Sequence, residues 1–388
     1  MSSEIMSFPV SIVRCGDYNP QRLALSLEEC LRPLGGMKAF VSPGDCVLLK
    51  PNLVSPHSTK AASCTHPEIV RAVARQVMEA GGRVYLGDSP AVGTMSRVLR
   101  KSGIMDVIRD LGIELVPFRT PVEVPVPGDS VYRSLFLARE ALGFDLIINL
   151  PRFKTHGMMT LTLSVKNMFG TVVGAAKPAW HFKTMEPGRF ADLLLDIWKI
   201  LQPGLNILDG ITAMEGNGPG AGGDPFSLGL LMASPSALAL DNAAGEIAGV
   251  SPREHPVLRR ALDRGFEGAG PDSFRVIGID IEQVKRPFLL PMSTAKVDGK
   301  LPDWMNRPLR KTLGVFPVLE TERCTSCGQC ASICPMDAIA LFDEKRGGGV
   351  VDRGICINCY CCQEVCPEGA IDLIPGRLLR ILKSFHMA

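Results

Sequence analysis

Eight cysteines near the C-terminal end of this 388-residue chain fall into two copies of one spacing. Cys324, Cys327, Cys330 and Cys334, followed by Pro335, spell C-x2-C-x2-C-x3-C-P. Cys356, Cys359, Cys362 and Cys366, followed by Pro367, repeat it 32 residues later. The same offset lays Ala338 on Ala370, Ile339 on Ile371 and Leu341 on Leu373, the mark of an internal duplication. Of the 13 cysteines, Cys15, Cys30, Cys46 and Cys64 are scattered through the preceding residues, and Cys361 is an extra thiol beside Cys362. The N-terminus shows neither a basic start nor an apolar run ahead of a small-residue cleavage site, so it does not read as a secretory signal. A reducing, cytoplasmic setting is expected, in which a dense cysteine cluster reads as metal ligation rather than disulfides.

Thiolates spaced by two residues wrap three corners of a four-iron cubane from one tight loop, and the fourth cysteine of each run ligates the other cluster. The expected ligand sets are therefore crossed: Cys324, Cys327, Cys330 and Cys366 for one [4Fe-4S] cluster, and Cys356, Cys359, Cys362 and Cys334 for a second. Zinc is the weaker reading, because four-cysteine zinc sites pair two C-x2-C knuckles and have no need of the C-x3-C-P ending. Over roughly residues 316 to 376 the segment resembles the bacterial-type two-cluster ferredoxin domain, a small α+β unit whose clusters carry single electrons. Cys361 reads as a small packing residue, and Gly347 to Gly349 as the turn between the half-repeats.

Upstream, short apolar runs alternate with longer helical ones, the pattern of an α/β fold with a mainly parallel sheet flanked by helices. Strands are expected at 46–50, 83–87, 113–118, 145–149, 205–208, 228–233 and 274–279, and helices at 66–80, 94–111, 189–201, 236–248 and 256–264. With 46% hydrophobic residues the chain can bury a full core. A net charge of +2 and only 6% aromatic residues speak against a dedicated nucleic-acid binder. The longest uncharged apolar stretch is too short and too broken by Pro235 to span a membrane.

Open α/β sheets bind ligands beyond the carboxyl ends of their strands. Here the expected strands run out into Pro51 and Asn52, Asp88 and Ser89, Pro151 to His156, Asp209, and Ser234. The span from Leu146 to Met185 contains no acidic residue but holds Arg152, Lys154, His156, Lys166, Lys177, His181 and Lys183. Such donors without carboxylate neighbours are free to hold an external anion. Lys166 is the leading contact, because it interrupts an apolar run where a lone ammonium is costly. The loop from Glu215 to Pro225 is too glycine-rich for a helix and reads as an anion cradle or a lid.

The segments KPNLV, THPEIV, LGDSP, NLPRFKTHGMMTLTLSVKNMFGTVVG, DGITAMEGNGP and ALALDNAAGEIAG, spread over roughly residues 10 to 280, resemble the domain-of-unknown-function family numbered 362. Members of that family often carry a C-terminal ferredoxin domain. The resemblance implies an α/β fold and no settled reaction, and its motif positions fall on Lys50, Asn52, His66, Asp88, Lys154, His156, Lys166, Asn167 and Asp209. Arg152 stands where the family pattern leads one to expect Lys.

Together these readings divide the chain into an α/β domain (1–285), a proline-rich connecting segment (286–315), a two-cluster domain (316–376) and a basic amphipathic tail (377–388). The expected activity is ferredoxin-coupled oxidoreduction. An electron donor or acceptor protein is the expected partner, and an anionic small molecule or an additional organic cofactor is expected in the α/β domain. Lys166, Lys154 and His156 would bind and polarise the anion, and Asp88 or Asp209 would orient it or move a proton. Asn52 would donate a hydrogen bond, and Lys50, His66 and Asn167 would complete a cofactor site. The alternative is a non-catalytic electron-transfer or adaptor protein whose α/β domain binds a partner or senses a ligand.

Overall fold

In the computed structural model, residues 7–174, 176–291, 314–342 and 348–376 are described. The connecting segment from 292 to 313, the tail from 377 and Gly347 of the expected turn lie outside the described residues.

The α/β part is built on a ten-stranded sheet. Its strands are β1 (Phe8–Arg14), β2 (Cys46–Pro51), β3 (Arg83–Leu86), β4 (Glu114–Leu115), β7 (Leu146–Leu150), β8 (Arg152–His156), β9 (Thr160–Thr162), β10 (Leu205–Gly216), β11 (Gly223–Ser234) and β12 (Phe274–Gly278). A separate hairpin is formed by β5 (Pro121–Pro125) and β6 (Ser134–Ala138). The main sheet runs β12-β1-β11-β10-β7-β2-β3-β4, with β8 beside β10 and β9 beside β8. It is mainly parallel; β11 runs against both its neighbours, and β9 against β8.

Strand β2, CVLLKP, is apolar until its last two residues and is buried almost throughout, as a central parallel strand must be. Around the sheet lie α1 (Pro20–Leu31), α2 (Pro67–Glu79), α3 (Met95–Lys101), α4 (Ile104–Leu111), α5 (Ser164–Asn167), α6 (Ala176–Thr184), α7 (Pro187–Leu201), α8 (Ala237–Ile247) and α9 (Pro256–Asp263). Helix α2 buries Ile69, Val70, Val73, Ala74 and Val77 on one face.

The single helix expected over 94–111 is two helices, because Ser102 ends α3 and Gly103, at φ 75°, turns the chain before α4. The strand expected over 113–118 shrinks to β4. The strand expected over 205–208 runs on to Gly216 and pairs with β11 as a long hairpin. Asp209 is therefore not at a strand end; it lies inside β10, opposite Arg152 of β8. The glycine-rich stretch from Glu215 to Pro225 is mostly the closing turn of that hairpin.

Beyond the connecting segment, β13 (Val315–Leu319) pairs with β16 (Ile371–Pro375), and β14 (Ile339–Leu341) with β15 (Gly349–Val351), all antiparallel. Gly349 thus belongs to a strand rather than to the expected turn. Two short helices, Gln329–Ser332 and Cys361–Val365, follow the cysteine loops. The duplication reaches the backbone: left-handed φ values at Ser326, Gly328 and Asp337 recur at Asn358, Tyr360 and Gly369.

Tyr360 stands where the first repeat has a glycine, and a non-glycine residue in this region carries strain of order 1–2 kcal/mol. Its ring is buried in a core shared with Val315, Leu373 and the α7 residues Phe190 and Leu194, and its hydroxyl donates to Val315 O at 3.1 Å. A Cβ added at Gly157, in the β8–β9 turn, would meet that ring at 3.2 Å.

The β10–β11 turn is the second point of docking. The Gln363 side chain donates to Asn217 O, and a Cβ at Gly220 would come within 2.5 Å of Glu364 O. Gly220→Val is expected to push the cysteine-rich unit off the α/β part and to lower stability by about 1–3 kcal/mol. Denaturant unfolding together with limited proteolysis checks this, and native-like values for both would contradict the contact.

Candidate functional site

The carboxyl ends of β2 and β3 and the end of α5 border a cavity of about 70 Å³, room for a small ligand. From the α/β part, Lys50, Asn52, Asp88, Lys166 and Asn167 line it. Lys177 and His181, both on α6, form another wall. The roof comes from the cysteine-rich unit: Ile333, Cys361, Glu364 and Val365. Ile333 adjoins Cys334, and Val365 adjoins Cys366, so the roof is made between the two cysteine loops.

Burying ammonium groups this deeply is costly unless each meets compensating charge or carbonyl oxygen. Lys50, fully buried, pairs with Asp88 at 2.9 Å and donates to Pro51 O at 2.8 Å. Asp88 in turn accepts from Leu53 N at 3.2 Å and Ser89 N at 2.7 Å, which ties the β2 and β3 ends together. A Cβ at Gly170 would overlap both the Asp88 carboxylate and the Lys50 ammonium, so only glycine lets the chain pass over this pair. Lys177 donates to Ser89 O and Val172 O, and burial lowers its pKa to about 7. Lys166 is half-buried and, among the described residues, makes no hydrogen bond or ion pair; burial lowers its pKa, opposed by Glu364 nearby.

Four asparagine amides are linked in one direction. Asn206 Nδ2 reaches Ser234 O and Pro235 O, so its Oδ1 accepts from Asn149 Nδ2 at 2.9 Å. Asn149 Oδ1 accepts from Asn167 Nδ2, and Asn167 Oδ1 accepts from Asn52 Nδ2, each at 2.7 Å. Anchored on backbone carbonyls at one end, the relay leaves Asn52 Oδ1 at the other, buried and without a partner. Asn52 therefore presents an acceptor, the reverse of the donor role expected from the sequence.

The remaining expected residues sit outside the cavity lining. Lys154 donates to Ser63 O, and burial brings its pKa to about 7. His156 accepts from Met158 N and Met159 N on Nδ1, so Nε2 carries its proton and faces Glu364 Oε1 at 2.7 Å. Burial drops the His156 pKa to about 4. Burial alone would raise the Glu364 carboxyl, but His156 and Lys166 outweigh it and hold the group below the usual carboxylate range. Asp209 pairs with Arg152 and accepts from Tyr18 Oη at 2.8 Å and His66 N at 3.1 Å. His66 caps α2 through Glu68 N and stacks on Tyr18. Asp209 and His66 thus form a separate buried cluster, because β10 continues past the sheet end and carries Asp209 away.

Sequence reasoning counted Lys177 and His181 among the donors of the acid-free span but gave neither a place at the site, and it did not connect Cys361 or Glu364 to the α/β site. Only the fold brings the latter pair across.

The eight paired cysteines separate into two groups. Cys330 has Cys366, Cys327 and Cys324 close by. Cys334, Cys356, Cys359 and Cys362 line one small apolar pocket. Among the described residues no group of three or more His, Cys, Asp or Glu side chains is placed to hold a single metal ion. Backbone N–H groups donate to sulfur from Ser326 to Cys324 at 3.4 Å, from Ala338 to Cys334 at 3.3 Å and from Ala370 to Cys366 at 3.2 Å. Thiol donors, sulfur-directed amides and an apolar shell fit an iron-sulfur cluster. Cys327 is exposed, whereas Cys361 is buried between its pocket and the cavity.

The buried charges set a pH dependence. Lys154 and Lys177 ionise near 7 in the fold against 10.5 when free, so the unfolded chain binds more protons between those values and stability rises with pH across that window. Asp241 caps α5 through Ser164 N and Val165 N, and burial raises it from 3.8 to about 7, so its contribution is lost as pH rises from about 4 to 7. Five buried histidines, His57, His66, His156, His181 and His255, are each lowered from 6.5 to about 4 and outweigh Asp241, so stability should rise with pH from about 4 and again above 7, and Lys154→Met and Lys177→Met should each flatten the alkaline rise in denaturation curves. Asp88→Asn, which strands the Lys50 ammonium, should cost about 3–5 kcal/mol by the same measurement.

Among the described residues no helix is long and apolar enough to cross a membrane. The thylakoid-associated protein sll1697 of Synechocystis is 39% identical over 308 residues, covering 79% of this chain and 94% of that one. Among solved structures, a Thermotoga maritima protein from a structural genomics consortium is similar at 11% identity and a TM-score of 0.33, over 52% of each chain. The lactate racemase apoprotein of Thermoanaerobacterium thermosaccharolyticum gives 8% identity and a TM-score of 0.37, over 64% of this chain and 59% of that one. The chain thus spans only about half to three-fifths of those two proteins. Residues 323–370 match the 4Fe-4S dicluster domain, and residues 47–246 match the domain of unknown function DUF362. The chain belongs to the DUF362 family and carries a C-terminal 4Fe-4S dicluster domain.

Proposed function

We propose that this protein is an iron-sulfur oxidoreductase that exchanges electrons with a small anionic molecule held at the strand ends of its α/β part. The observation that carries the reading is the shared cavity: its floor is made of buried lysines and its roof of residues lying between the two cysteine runs. Two [4Fe-4S] clusters would be held by Cys324, Cys327, Cys330 and Cys366 and by Cys334, Cys356, Cys359 and Cys362, and when bound they would supply one-electron transfer.

The chain's own residues divide the remaining work. Lys166, with no partner of its own, binds the anion. Lys50 and Asp88 neutralise each other and hold the β2 and β3 ends in place. Lys177, tied to two carbonyls, adds positive potential to the wall. His156 fixes the Glu364 carboxylate over the site. Cys327, the exposed cluster cysteine, marks where a donor or acceptor protein would approach.

Protein purified without oxygen should contain about eight iron and eight acid-labile sulfide per chain, and zinc in place of iron would remove the redox reading. Dithionite-reduced protein mixed with reducible monocarboxylates should be re-oxidised faster than by oxygen-free buffer. Lys166→Ala should lower that rate by an order of magnitude or more with the cluster spectra unchanged, the scale of a lost charged contact. Unchanged re-oxidation would leave the non-catalytic electron-carrier reading in its place.

A further inference from the structure

The walls of the cavity say more about its ligand than its charge. Apart from the Glu364–His156 pair, three polar functions lining it are unspent among the described residues: the Lys166 ammonium, Asn52 Oδ1 and His181 Nδ1. Asn52 and His181 are each more than nine-tenths buried. The histidine nitrogen serves as donor or acceptor according to its tautomer, and the ammonium only donates. The asparagine has no such freedom. Its nitrogen is held by Asn167, Asn167 is oriented by Asn149, Asn149 by Asn206, and Asn206 by two backbone carbonyls on the far side of the sheet. Flipping Asn52 would set its oxygen against Asn167 Oδ1, so the acceptor facing the cavity is fixed by a relay rooted in backbone.

From this we infer that the ligand is a small monoanion that also carries its own hydrogen-bond donor. Lys50 is paired with Asp88 and Lys177 is held by two backbone carbonyls, so Lys166 is the lining ammonium left to meet a single negative charge on the ligand. The anionic oxygen lies against Lys166, and a hydroxyl or N–H of the same molecule donates to Asn52 Oδ1. Hydroxy-carboxylates and protonated oxyanions such as bicarbonate share this chemistry. A simple carboxylate does not, because it would bury an unmet acceptor, and a buried polar atom left unpaired costs enough to change affinity by about tenfold or more. The inference rests on the reading of the cavity as a ligand site, but it concerns binding alone and needs no electron transfer.

Calorimetric titration of the oxidised, cluster-loaded protein therefore tests it separately from re-oxidation. Two pairs of equal charge are used, glycolate against acetate and bicarbonate against nitrate. The expected result is that the donor-bearing member of at least one pair binds about tenfold or more tightly. Whichever pair discriminates identifies the source of the donor. Lys166→Ala should weaken both members of that pair, whereas Asn52→Leu, which deletes the acceptor, should bring the two affinities together. Equal affinity within both pairs for the unaltered protein would mean that water satisfies Asn52, and would overturn the inference, as would no binding of any of the four. Since the decisive comparison uses the unaltered protein, poor folding of Asn52→Leu does not blunt it. Faster re-oxidation by a carboxylate alongside equal affinities would sink the donor requirement and leave the redox reading standing.

Discussion

Four lysine ammonium groups, on Lys50, Lys154, Lys166 and Lys177, are gathered at or near the carboxyl ends of parallel strands and largely removed from water. Desolvating even one is expensive, and the arrangement around them is the set of compensations that makes it tolerable. Asp88 meets Lys50, backbone carbonyls meet Lys154 and Lys177, and Glu364 lies near Lys166. Gly170 is where it is because the chain must cross the Lys50–Asp88 pair without a side chain. Only Lys166 lacks a direct partner among the described residues, and it lines the cavity.

The cysteine-rich unit is part of this solution rather than an appendage. Glu364 lies between Cys362 and Cys366 in sequence, and it reaches His156 of β8 at 2.7 Å. Tyr360, left-handed where the first repeat has Gly328, places its ring in the core shared with the α/β part. The two half-repeats thus keep the same backbone turns while the second has acquired side chains that dock. Strain at Tyr360 is offset by burial of an aromatic ring and a satisfied hydroxyl.

The asparagine relay shows how a polar core sets direction. Asn206 is anchored by Ser234 O and Pro235 O, Asn149 by Ser164 O and Asn167 by Lys50 O, so backbone carbonyls along the row fix each amide and leave Asn52 Oδ1 as the acceptor in the cavity. A buried row of paired amides specifies a single geometry more strongly than apolar packing does. The one atom left over is at the end facing the cavity.

Much of this was legible in the chain itself. The cysteine spacing names iron-sulfur chemistry because cubane ligation demands that spacing, and the alternation of apolar runs names a mainly parallel sheet because buried strands read as continuous apolar segments. The acid-free span marked Lys166, because charge composition is a local property. What the sequence could not contain was the company each residue keeps. Asp209 and Asp88 look alike as acids after apolar runs, yet β10 continues and sends Asp209 to Arg152, whereas β3 stops and leaves Asp88 beside Lys50. Whether Asn52 donates or accepts depended on three other amides up to 154 positions away. That Glu364 and Cys361 roof a cavity of the α/β part was decided by docking between segments about 200 residues apart, since hydrogen-bond direction and desolvation are set by neighbours in space.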